Sequence, residues 1–197
     1  MKTTNIKLSP HFKLYEFCVT SSGANVVQAN REFASEEANI KKLSILSNDI
    51  LEPIRAVLIK KENNFNCNFL TITSGVRTAG TKIANASATS QHNHAEAVDF
   101  VVNGNLKDTL RLYELIKDNK IKDLKYNELS QVILERKKRV NGTYSSWIHI
   151  AIKTTRFINQ RKKANRNYSK FPECFISLDG FKYVLATEEN LKKYIKV

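Results

Sequence analysis

An aspartate set inside an apolar run is the feature of this sequence that most restricts what it can become. Asp99 lies within Ala97-Val98-Asp99-Phe100-Val101-Val102, and a carboxylate buried without a partner is expensive. Partners are within reach. Ser90-Gln91-His92-Asn93-His94-Ala95-Glu96 immediately precedes the run, and a second apolar run, Trp147-Ile148-His149-Ile150-Ala151-Ile152, carries another histidine. Two imidazoles and one carboxylate suffice to hold a catalytic zinc that keeps its fourth position for water. Spacing alone leaves His92 and His94 as rivals for one place in such a set. A lone histidine in an apolar strand is also, more often than not, a hydrogen-bonded core residue.

Periodicity supplies the elements around these residues. Ser35 reads as an N-cap, with Glu36 and Glu37 suited to the positive end of a helix dipole and Ile40, Leu43, Ile50, Ile54 and Val57 on one apolar face. Pro53 predicts a kink or break in that helix. Phe69-Leu70-Thr71-Ile72-Thr73 alternates and is rich in β-formers, so it predicts a strand that runs into Ser74-Gly75-Val76-Arg77, where Gly75 permits a sharp turn. A short helix is expected through Thr81-Lys82-Ile83, a turn at Asn103-Gly104-Asn105, and a helix bearing Leu106, Leu110, Tyr113 and Ile116. Gln131–Glu135 and Trp147–Ile152 predict a hairpin with Asn141-Gly142 in its loop. A basic, polar stretch from Arg156 to Arg166 follows. Phe175 to Leu185 then predicts a hairpin about Asp179-Gly180, and Thr187 caps a last helix from Glu188 to Ile195.

Strand alternation places Trp147, His149 and Ala151 on one face, as it does Ala97, Asp99 and Val101, and Gln131, Ile133 and Glu135. If those strands are neighbours with these faces aligned, His149, Asp99 and Glu135 meet in one cleft. Zinc hydrolysis also needs a base and a cation to dock a substrate carboxylate. Glu135 is the candidate base, with Glu96 as a substitute, and Arg77 is the candidate cation. Arg77 is equally suited to a structural salt bridge.

The bulk composition narrows the partners. The 32 Lys+Arg against 19 Asp+Glu give a net charge of +13, which favours polyanions such as nucleic acid, anionic wall polymer or phospholipid. Scattered lysines also simply solvate a surface, and no basic motif interleaved with aromatics supports nucleic acid, which ranks last. Cys18, Cys67 and Cys174 are odd in number and far apart, so neither a zinc knuckle nor a disulfide framework is indicated. The first residues lack the apolar core of a secretion signal, and no apolar stretch approaches the ~18 residues of a membrane span. The expectation is a protein without a signal peptide, located in a host cytoplasm or a phage virion.

From Leu8 to Arg156 the chain resembles the zinc peptidases of the D-alanyl-D-alanine carboxypeptidase group (peptidase family M15), in their phage and bacterial single-domain branch. The similarity is carried by Leu8-Ser9-Pro10-His11-Phe12 with Glu16-Phe17, by Leu51-Glu52-Pro53-Ile54-Arg55, and by Thr73-Ser74-Gly75-Val76-Arg77. The family's Ser-x-His-x-x-Gly-x-Ala-x-Asp motif falls on Ser90 to Asp99, its Trp-x-His on Trp147 to His149, and its Gln-Leu-Ile-x-Glu strand on Gln131 to Glu135. The resemblance implies Zn2+ on His92, Asp99 and His149, leaving His94 as a neighbour. It implies substrate binding by Arg77, with Ser90 at the start of the motif assigned to the same role. It also implies an α+β fold shared with Hedgehog signalling domains, a small antiparallel sheet flanked by helices. Residues 1–156 would form that domain, and 157–197 a basic hairpin-plus-helix appendage packed on it.

The chain departs from the pattern at Ala95, where the motif has glycine, at Asn85-Ala86, where paired glycines are usual, and at Ser130, where aspartate is common. Related branches take the base from an acid or a histidine just before the last ligand, and Ser145-Ser146-Trp147-Ile148 provides neither, so the resemblance does not itself supply the base and Glu135 stands only as the candidate. The implied activity is hydrolysis of peptidoglycan stem peptides, between D-alanines or between L-alanine and D-glutamate, by a phage endolysin or virion-associated lysin. Anionic wall polymers and virion proteins are the other expected partners. The alternative is a non-catalytic virion structural protein that keeps the fold.

Overall fold

Alternation of apolar and polar residues along the strands decides the architecture of the chain. A computed structural model describes residues 6–65, 69–78, 89–102, 106–164, 171–179 and 182–195. Six strands, β1 (Thr71–Ser74), β2 (Ala97–Val101), β3 (Leu129–Lys138), β4 (Tyr144–Ile152), β5 (Glu173–Ser177) and β6 (Tyr183–Leu185), form one sheet in the order β1-β2-β4-β3-β5-β6. Val98, Phe100, Val132, Leu134, Ile148, Ile150 and Ile176 point to one side and join a single hydrophobic core with residues of the helices. Asp99, Ile133, Glu135, Trp147 and His149 alternate with them and lie on the opposite face. The fold is therefore α+β, a six-stranded sheet flanked by helices. The sheet is mixed, which corrects the wholly antiparallel expectation: β5 runs parallel to β3, and every other pairing is antiparallel.

The helical layer begins with α1 (Ala24–Ala34), which was not anticipated, and continues through α2 (Glu37–Ile45). Ser35 is consequently not an N-cap. It follows the end of α1, its hydroxyl donates back to the Arg31 carbonyl at 2.7 Å, and Glu36 takes the N-cap position of α2 without a side-chain capping bond. Pro53 does not break the helix either. The chain widens into a π-helical segment over Leu46–Leu51, where the Glu52 amide donates to Ser47, and passes directly into α3 (Glu52–Ile59) with Pro53 in its first turn. Proline offers no amide to the Asp49 carbonyl. That carbonyl instead accepts from the Lys125 amide at 3.1 Å, which ties the helix to the segment leading into β3.

After α4 (Leu106–Lys117), the β3–β4 hairpin turns through Gly142, whose φ of 80° is one that glycine tolerates. The expected division after residue 156 falls inside α5 (Thr155–Lys163), which Thr154 caps by accepting from the Phe157 amide at 3.2 Å. The C-terminal hairpin is continuous with the sheet through the β3–β5 pairing. In α6 (Glu188–Ile195), capped by Thr187 as expected, Leu191 and Tyr194 enter the core. The Tyr194 hydroxyl bonds to Ser146 on β4, and the Arg136 guanidinium donates to the Tyr194 carbonyl. The readings made for Cys67, Thr81-Lys82-Ile83, Asn85-Ala86, Asn103-Gly104-Asn105 and Gly180 fall outside the described residues. Among the described residues no helix is long and apolar enough to cross a membrane.

Candidate metal centre

His92 reaches the sheet from a single 3-10 turn, Gln91–His94. The turn ends at Ala95 with φ 55° and ψ 35°, a left-handed conformation in which a Cβ costs about 1–2 kcal/mol. That is the position at which the Ser90–Asp99 segment was expected to carry glycine. Directly behind the turn comes β2. Its central residue, Asp99, stands opposite His149 of β4, and Ile133 of β3 is the next in the same row. The condition posed by strand alternation is met: Asp99, His149 and Glu135 share one face.

Three donor atoms converge there. His92 Nε2 lies 3.1 Å from Asp99 Oδ1 and 3.1 Å from His149 Nδ1, and His149 Nδ1 lies 2.8 Å from Asp99 Oδ1. All three residues are buried, and their donor atoms lie within 4.8 Å of one another, so the group could hold a metal ion. His94 is excluded from it. Its carbonyl accepts from Lys42 Nζ at 2.5 Å, and its ring lies near Arg156 and Lys42.

The protonation pattern fits a cation. His92 Nδ1 is 2.6 Å from the Gly75 carbonyl, which can only accept, so Nδ1 carries the proton. In the neutral ring Nε2 is then a bare lone pair facing a carboxylate oxygen and a second imidazole nitrogen. Burial pushes the His92 ring below its ordinary value, against the attraction of Asp99, and so resists filling the gap with a second proton. A metal ion satisfies all three donors at once, and the Gly75 carbonyl is the outer partner that fixes the tautomer of a ligating histidine.

Gly75 is required for space rather than for a turn. A Cβ there would sit 2.4 Å from the Phe17 carbonyl oxygen. The close approach brings the following residues beside the turn, where the Arg77 amide donates to the His92 carbonyl at 3.2 Å. The Arg77 guanidinium pairs with Asp99 Oδ2 at 2.7 Å and is braced by Ser74 Oγ at 3.0 Å. Asp99 thus offers one oxygen to the metal position and the other to Arg77. Burial alone would push its pKa up and disfavour the carboxylate, but the His92 and His149 rings outweigh that and hold the carboxyl well below the usual carboxylate range.

Glu135 lies one strand beyond, directly across from Trp147. It is buried, and desolvation followed by the negative charge of Asp99 pushes its carboxyl up to about 7. Tyr183 Oη of β6 lies 3.4 Å from its Oε2 on the side away from Trp147. Glu96, the substitute base, is engaged elsewhere: Thr154 Oγ1 donates to it at 2.8 Å and Arg156 grips both its oxygens. Ser90 is half-buried at the entrance of the turn, where its carbonyl accepts from the Asn93 amide at 3.1 Å.

Residues not singled out from the sequence complete the support. Gln91 is buried beside His92; its amide donates to the Ile152 carbonyl at 2.9 Å and accepts from Ser130 Oγ at 3.1 Å, pinning the turn to β4 and β3. The signal for Gln91 was its place within the Ser90–Asp99 motif. Tyr183 had no signal, because its contact depends on a strand pairing that periodicity does not encode. No family model matches the chain, nor does any curated protein or solved structure.

Proposed function

We propose that this chain is a zinc-dependent peptidase that hydrolyses peptidoglycan stem peptides, as a D-alanyl-D-alanine carboxypeptidase or an L-alanyl-D-glutamate endopeptidase, in a phage endolysin or virion-associated lysin. The observation that carries the proposal is the convergence of the His92, Asp99 and His149 lone pairs on a sheet face that also bears Glu135. A bound zinc would supply Lewis acidity to a water molecule and to the scissile carbonyl. Glu135, with an ionisation near neutrality, is matched to accept a proton from the attacking water and to return it to the leaving amine. One C–O bond forms, one C–N bond breaks, and the proton passes through Glu135. Arg77 orients Asp99 and places a fixed positive charge beside the site, which favours a substrate that carries a carboxylate. The resemblance to the D-alanyl-D-alanine carboxypeptidase group selects the substrate class.

Elemental analysis of purified protein should give close to one zinc per chain. Incubation with purified peptidoglycan should release D-alanine or free stem-peptide ends, and a chelator should stop the release. His92→Ala should lose both metal and activity. Full activity in that variant would refute the assignment.

A further inference from the structure

The row of residues that starts at Trp147 crosses four strands: Trp147 on β4, Glu135 on β3, Ser177 on β5 and Tyr183 on β6. Neighbouring strands are about 4.8 Å apart, so Glu135 and Tyr183 start about 10 Å from each other. A long side chain at Ser177 would fill that interval. The serine that stands there is fully buried, and its hydroxyl turns aside to Asp179 Oδ1 at 3.3 Å. The phenol of Tyr183 therefore passes over it and meets Glu135 Oε2 at 3.4 Å. Tyr183 is half exposed (51%) although its hydroxyl faces a buried carboxyl group. Its ring thus forms a wall between the open face of the sheet and solvent.

We propose that Tyr183 is a positioning residue for Glu135: the C-terminal hairpin reaches over Ser177 and donates a phenolic hydrogen bond that fixes the carboxyl group on the metal side of the sheet. The inference rests on the peptidase reading of the site and adds to it a segment beyond the part of the chain that resembles the family. A carboxylate tethered by the phenol from the β6 side is restrained from rotating away from the face. Removing the phenolic hydroxyl leaves the ring and its wall in place while releasing one oxygen of the base.

Two measurements test it. With zinc-loaded protein and purified peptidoglycan, Tyr183→Phe should lower kcat about tenfold, the worth of one hydrogen bond to a charged group, with KM within about twofold and zinc content unchanged. In purified protein carrying fluorotyrosine at its seven tyrosine positions, the Tyr183 fluorine resonance is assigned by its loss in Tyr183→Phe. It should titrate at higher pH than the exposed tyrosines, and Glu135→Gln should bring it down. Unchanged kcat in an active enzyme overturns the proposal, as does a Tyr183 titration indifferent to Glu135→Gln. If the zinc-loaded wild type hydrolyses nothing, the peptidase reading falls, and the fluorine titration decides the Tyr183–Glu135 contact separately.

Discussion

Glu135 and Asp99 share a face, yet their ionisations are driven in opposite directions, and each leaves its mark in a different pH window. Burial and the Asp99 charge raise Glu135 from 4.5 to about 7 in the folded chain. A carboxyl group raised on folding contributes stability that is complete below its unfolded value and is lost as pH rises through its folded one. Metal-free protein should therefore lose about 3 kcal/mol of unfolding free energy between pH 4.5 and 7, measured by urea titration, and Glu135→Gln should remove that fall. Asp99 is displaced downward, so its contribution is present above its ordinary value of 3.8 and disappears as pH drops below it. In the proposed peptidase the base must be ionised, so the rate should fall on the acid side as Glu135 takes up its proton, at a pH lower than in metal-free protein because a bound cation favours the carboxylate. Glu135→Gln should cut kcat by at least about a hundredfold while retaining zinc, as expected for loss of a general base.

At the scale of elements, the C-terminal hairpin and helix are bound into the sheet and core. A fragment ending at residue 156 leaves β3 without β5 and removes Tyr194, a fully buried side chain, from the core. It should fail to show a cooperative thermal transition. Tyr194→Ala in the full chain should lose about 4 kcal/mol, read by chemical denaturation. The β3–β4 hairpin and the capped last helix were legible because each follows from local periodicity and turn chemistry, whereas the shared face of Asp99 and His149 was legible only as a condition that the β2–β4 pairing then met. The parallel β3–β5 pairing was not, since which strands become neighbours depends on long-range contacts that leave no local pattern. The helical region shows the same limit. Pro53 predicted a kink or break, but the chain continues through a π-segment into α3, and the Asp49 carbonyl is met by the Lys125 amide from more than seventy residues away. Within the site, His92 and His94 were equivalent by spacing; the 3-10 turn and the Gly75 carbonyl separate them.

For the whole molecule, the net charge of +13 sets behaviour at a distance. Lys137, Lys138 and Arg139 are exposed at the end of the hairpin whose strands carry Glu135 and His149. Co-sedimentation with walls bearing anionic polymers should fall steeply as salt rises, because such attraction is screened within about 10 Å at 0.1 M. Replacing these three residues by glutamate should weaken that association and leave the zinc content intact. The β3–β5 pairing also has a consequence for the order in which the protein matures. During synthesis His92, Asp99 and His149 leave the ribosome first, followed by α5, then β5, and Tyr183 only afterwards. The three candidate metal donors are therefore all made before the strand from which Tyr183 reaches Glu135, and a nascent chain carries the side chains of the ion site before it carries the last neighbour of Glu135 and the pairing that completes the sheet.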